Sequence, residues 1–188
     1  MKPLFAAIVL SAALLTQSAF AAPATKKQEV KATDFSREMT QMMINQSIQR
    51  FRINDDVSAE DAIEAMKSRA IELNFKEVAD LPLSKEVAAK RAALGDKRPV
   101  NYMRILAFCD SLIANEIVSY DSSHVIYAGF LPCRIALIQD KKNDYYLVTL
   151  NMDMMLHAVD LPYELKKLAT KVRDNIYSIV EAGVNGDF

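Results

Sequence analysis

A chain of 188 residues is long enough for one domain with a core of its own, and 51% hydrophobic with 25% charged residues is the composition of an ordinary globular protein, not a disordered one. A formal net charge of −1 provides no basic footprint, so nucleic acid and anionic membrane surfaces are excluded as expected partners. Two cysteines do not make a disulfide scaffold in a chain of this size, so the core has to supply most of the stability.

The first residues read as a secretory signal. Lys2 is the positive start, Leu4 to Leu15 the apolar stretch, and Ala19-Phe20-Ala21 the small-x-small cleavage site. The apolar run is shorter than the ~20 residues a bilayer-spanning helix needs. The expectation is therefore a signal peptide over 1–21, cleavage near Ala21, and a periplasmic or secreted mature chain with no membrane association. In that compartment a cysteine pair is free to oxidise.

A polar tether and a short helix are expected over 22–46, with Thr33-Asp34 as the cap and Met39, Met42 and Met43 along one side as packing residues. A single α+β domain follows over 47–188. Phe51 and Ile53 alternate with Arg50 and Arg52, predicting a first strand with one wet face. Ser58 with Asp61 three residues on forms a capping box, and Ile63, Met66, Ala70 and Leu73 recur at helical spacing. A short extended piece at Phe75 to Asp80 leads to a second helix, capped by Ser84, stopped at Gly95, and thin on its apolar face.

Tyr102 to Cys109 predicts a strand that is apolar on both faces apart from Arg104, and Asp110 is placed to cap a short helix after it. The runs Cys133 to Gln139 and Tyr145 to Leu150, separated by Lys141-Lys142-Asn143-Asp144, predict a hairpin. The end is helical: Pro162 opens a stripe of Leu165, Leu168, Val172, Ile176 and Ile179, with Gly183 as the expected stop and a length of roughly 30 Å. This order describes an α+β two-layer sandwich, a mainly antiparallel sheet with helices on one face.

The chain resembles the family called domain of unknown function 302 from about Phe51 to Asn151. The likeness rests on the opening strand and amphipathic helix, the apolar strand ending in Cys109, the Leu-Pro-Cys of residues 131–133, and the hairpin after it. The tail Asn151 to Met155, Pro162 and Gly186-Asp187-Phe188 resemble a longer exported branch. Where the family pattern often continues the first cysteine with Asn-Pro, this chain has Asp110-Ser111. The resemblance implies a two-layer fold similar to half of the TATA-box-binding protein, often dimeric, and no established reaction.

Cys109 ends one strand and Cys133 begins another, so antiparallel pairing would bring both to one end of the sheet. Three readings stay open: a disulfide closing a loop of about 25 residues and contributing roughly 3 kcal/mol, a reactive or sulfur-handling thiol pair, and buried inert cysteines. Asp110, Pro132 and Arg134 are the supporting residues of this site. Met152, Met155 and His157, with Met154 between them, form a second constellation whose soft ligands would suit copper, the only cofactor with any basis in the sequence.

The zinc-protease pattern, the Walker loop, the dinucleotide fingerprint and the haem-attachment motif do not occur. Asp121-Ser122-Ser123-His124 reads as a turn, and no catalytic residue is assigned. The leading expectation is a homodimer with a small-ligand or partner site at the cysteine end; the alternative is a thiol-based sulfur-handling or copper-binding protein.

Overall fold

The computed structural model describes residues 36–188 except Pro132 and Val159. The expected signal peptide, the tether and the Thr33-Asp34 cap lie outside the described residues. The first described helix, α1 (Arg37–Gln46), starts instead from Ser36, whose hydroxyl accepts from the Met39 amide at 3.2 Å. The packing role expected for its methionine stripe is not realised: α1 buries no residue, and Met39, Met42 and Met43 are 51%, 58% and 50% exposed. No described element covers that side of the helix.

The remaining elements follow in the order β1 (Ile48–Arg52), α2 (Ala59–Glu72), β2 (Lys76–Leu81), α3 (Leu83–Ala93), β3 (Met103–Cys109), α4 (Ser111–Ser119), a 3-10 segment (His124–Phe130), β4 (Cys133–Gln139), β5 (Tyr145–Leu150), α5 (Met152–Ala158) and α6 (Tyr163–Asn185). The strands form one open sheet in the order β1-β5-β4-β3-β2, every neighbouring pair antiparallel. The turn between β4 and β5 closes because the Asp140 carboxylate accepts from the Lys142 and Asp144 amides, while Asn143 takes a positive φ of 69°.

Local chemistry sets most helix ends. Ser58 accepts from the Asp61 amide at 3.1 Å and donates to its carboxylate at 2.7 Å, so the predicted start of α2 holds. Two boundaries differ from expectation. Helix α3 starts one residue before Ser84, with Pro82 in the cap position and no side-chain capping bond; the Pro82 carbonyl takes the Lys85 and Glu86 amides instead. Helix α6 runs past Gly183 and is capped by Gly186 at φ 70°. Gly183 has a different role: a Cβ there would lie 2.6 Å from Met66 Cγ and 2.9 Å from Leu147 Cδ1. It lets α6 cross α2 closely over the sheet.

The pleat sorts the strand residues onto two faces. The register sets Leu106 against Ile135, Phe108 against Cys133, and Leu137 against Leu147. These side chains join Ile63, Met66 and Ala70 of α2 and Ile176, Ile179 and Val180 of α6 in one buried core. Helices α2 and α6 thus form the second layer, whose apolar burial at ~25 cal/mol per Å² is the main stabilising contribution. At the β2–β3 end, Asp80 accepts from Arg104 Nε at 2.7 Å and from Lys67 at 3.3 Å, and Lys67 also meets Glu77 at 3.2 Å. Arg104, the one charged residue in the apolar β3 sequence, is therefore paired at the margin of the core.

Candidate functional site

Where β3 ends and β4 begins, the chain leaves the sheet and builds a cavity of about 110 Å³. Its floor comes from Phe75, Cys133 and Thr149, and one wall from Ile113, Ala114 and Ile117 of α4. Tyr127, Phe130 and Leu131 close a second side, and Met152, Met155 and Leu156 of α5 a third. Ala169 and Val172 of α6 complete it, with Cys109, Asp110 and Arg134 along its border.

Three local devices hold these walls. Asp110 starts α4, accepting from the Leu112 amide at 3.0 Å and the Ile113 amide at 3.2 Å, as expected of a cap. Its carboxylate is therefore engaged with backbone. Asn151 starts α5: its side-chain oxygen accepts from the Met154 amide at 3.1 Å, and its side-chain nitrogen donates to the Gln46 carbonyl at 2.9 Å. Arg173 of α6 donates to Asp153 at 2.5 Å, fastening α5 to the long helix.

The 3-10 segment is anchored by His124, only 8% exposed, a role that the sequence reading of a plain turn missed. Its ring packs edge-on between Tyr120 and Tyr127, with centroids 5.2 and 5.4 Å away. Nδ1 lies 3.0 Å from Asp121 Oδ1. The turn itself is present: Asp121 accepts from the Ser123 amide at 2.7 Å and the Ser123 hydroxyl at 2.6 Å; the hydroxyl bond first, then the His124 contact and then the amide bond hold its carboxyl well below the usual range. The tyrosine–histidine–tyrosine spacing over 120–127 was the available signal.

Both cysteines reach the cavity, but the expected disulfide is not formed; Cys109 and Cys133 are free. The register gives the reason. Phe108 stands opposite Cys133 and shares its face, so the pleat turns Cys109, one residue on, toward the other side. Cys133 is buried, and burial, followed by the nearby Cys109, pushes its thiol up to about 11. Cys109 is half-buried and also raised, by burial first and the Asp110 charge second. Asp110 thus opposes thiolate formation, and neither group has the lowered pKa of an activated nucleophile.

The other predicted site residues divide. Arg134 is exposed and borders the cavity, while Pro132 lies outside the described residues. Met152 and Met155 line the cavity, but His157, two residues beyond Met155, is exposed and faces a separate depression with Asp153, Asp160 and Arg173. The expected Met152, Met155 and His157 set is therefore divided by the helical turn, because positions three apart share a face and 157 does not. Among the described residues no group of three or more His, Cys, Asp or Glu side chains is arranged to hold a metal ion.

Among the described residues, no helix is long and apolar enough to cross a membrane. No curated protein sequence matches the chain. Its structure is similar to that of an uncharacterized conserved DUF302 protein from Bacillus stearothermophilus, with a TM-score of 0.56 and 15% identity over 72% of this chain and 96% of that one. That likeness establishes the fold alone. Residues 51–183 match the family described as domain of unknown function DUF302, and the chain belongs to that family.

Proposed function

We propose that this is a binding protein of the periplasm or the secreted fraction, without a reaction of its own, which holds a small apolar ligand at the cysteine end of the sheet. The observation that carries the reading is the cavity of about 110 Å³, walled almost entirely by aliphatic, aromatic and sulfur-containing side chains. Its size approaches the roughly 150 Å³ of an engineered apolar cavity that binds benzene. The raised pKa values of both cysteines support a non-catalytic role over nucleophilic sulfur chemistry.

The test is benzene binding followed by ligand-observed NMR, comparing the native chain with Ala114→Leu and Ala169→Leu, which place extra methyl groups in the cavity wall. Saturable binding by the native protein and loss in both folded variants is the expected result. Native protein that fails to bind benzene, or variants that bind it equally well, would overturn the reading.

The same proposal includes self-association as a homodimer through the sheet face turned away from α2 and α6. That face carries Ile105, Ala136, Ile138 and Val148, with Ile48, Leu81 and Met103 at 40%, 43% and 37% exposure. Sedimentation equilibrium is expected to give twice the chain mass, and Met103→Lys to shift it to the chain mass. A native chain that stays monomeric at high concentration would remove the dimer.

A further inference from the structure

The 3-10 segment His124–Phe130 has two sides. Tyr127 and Phe130 line the apolar cavity, and His124 is buried between Tyr120 and Tyr127. Val125 and Ile126 stand in water instead, 59% and 68% exposed, followed by exposed Ala128 and Gly129 and by Phe130, itself half-exposed. In a chain with 25% charged residues, positions 122–133 hold no Asp, Glu, Lys or Arg. We infer that Tyr120, Val125, Ile126 and Phe130 form a docking surface for the face of a neutral, zwitterionic lipid bilayer, beside the apolar cavity.

The exposure is built into the fold. With about three residues per turn, positions 124, 127 and 130 share the inner side of the segment, and 125, 126, 128 and 129 are left outside. His124 fixes that phase, its ring held between two tyrosines and its Nδ1 3.0 Å from Asp121 Oδ1. Part of the backbone is already satisfied: the His124 amide donates to the Asp121 carbonyl at 3.1 Å and the Leu131 amide to the Ala128 carbonyl at 3.2 Å. These bonds lower the cost of taking the segment out of water.

The side chains select the partner. A protein interface carries hydrogen bonds and a polar rim that fix its orientation, and Val125, Ile126, Ala128, Gly129 and Phe130 offer no side-chain donor or acceptor. A bilayer interior asks for none. Tyr120, half-exposed and 5.2 Å from the His124 ring, supplies the amphipathic ring that suits the headgroup level. Between 111 and 133 the charged residues are Glu116 and Asp121, both acidic, so anionic lipid adds no attraction and a neutral surface is favoured. The net charge of −1 opposes anionic surfaces alone. This differs from the expectation of no membrane association by a reversible, peripheral contact of 7 residues, far short of the ~20 a spanning helix needs. It deepens the apolar-ligand reading by naming a bilayer as the place where such a ligand is met, and that part alone rests on the reading.

The chain has no tryptophan, so Ile126→Trp gives a single local reporter at an exposed position. The experiment titrates this full-length variant with phosphatidylcholine vesicles brominated on their acyl chains and reads tryptophan fluorescence, beside the benzene measurement on the native chain. A blue shift and saturable quenching are expected, and adding phosphatidylglycerol should not strengthen them. Val125→Asp in the same background should weaken the apparent lipid affinity about tenfold or more, because a carboxylate resists leaving water. Met42→Trp, placing the reporter on the exposed face of α1, should show no quenching.

An unquenched reporter at 126 overturns the inference, as does quenching that Val125→Asp leaves unchanged or that requires phosphatidylglycerol. Equal quenching at 42 and 126 overturns it too, since contact would then not be made by this segment. A blue shift that grows with protein concentration in the absence of lipid assigns the surface to a second copy of the chain instead. Benzene binding without quenching at 126 removes the docking surface and leaves the apolar-ligand reading standing; quenching without benzene binding does the reverse.

Discussion

At the scale of single residues, Cys133 makes the most direct pH prediction. A buried thiol whose pKa is raised to about 11 stays protonated in the folded chain at a pH where the unfolded chain, near 9, has already ionised. Its contribution is complete below pH 9 and is lost as pH rises toward 11. Thermal unfolding over that range should show an alkaline loss of stability that Cys133→Ala reduces. Asp80 has the opposite sign: the Arg104 hydrogen bonds, opposed by burial and reinforced by Lys67, lower its pKa from 3.8. Its contribution is present above that value and is lost as pH falls below it. With the Asp80 side chain 22% exposed, solvent screening discounts the pair, and Asp80→Asn should cost about 1–2 kcal/mol at pH 7 by urea denaturation. Gly183→Ala should cost about 1–3 kcal/mol, because the added methyl overlaps Met66 and Leu147 in a filled core.

At the scale of elements, α5 is the cavity wall with no buried residue of its own. It is a short helix of 7 residues with none of them buried, so its position depends on its ends and on α6. Asn151 joins the start of α5 to the α1–β1 junction, and Asp153 joins it to Arg173. Asn151→Ala should cost about 1 kcal/mol through the lost cap, and hydrogen exchange should rise at the Met154 and Met155 amides before it rises in the sheet. Protection of α5 equal to that of β4 in the variant would refute this account. Helix starts governed by short-range chemistry were legible: Ser58 and Asp110 cap as their spacing indicates. Asn151 was not, since the carbonyl it reaches belongs to Gln46, far away in sequence.

For the whole molecule, hydrophobic periodicity was enough to place the hairpin strands Cys133–Gln139 and Tyr145–Leu150 and the long last helix, and with them an antiparallel sheet backed by helices. These features depend on alternation and turn chemistry within a few residues, which a chain carries along its length. Whether a side chain is covered depends on what crosses above it. The Met39, Met42 and Met43 stripe has helical spacing yet no covering layer, while Gly183 has the composition of a helix stop yet serves a helix crossing. The cysteine pair illustrates the same division. Their arrival at one end of the sheet could be read from two strand boundaries, but the absence of a bridge follows from the register that pairs Phe108 with Cys133. Sequence alone determined the family, the sheet and the arrival of both cysteines at one end of it. The tertiary structure decided that thiols and methionine sulfurs border one apolar cavity and that His157 does not, because strand register and helix phase are set by packing between distant segments.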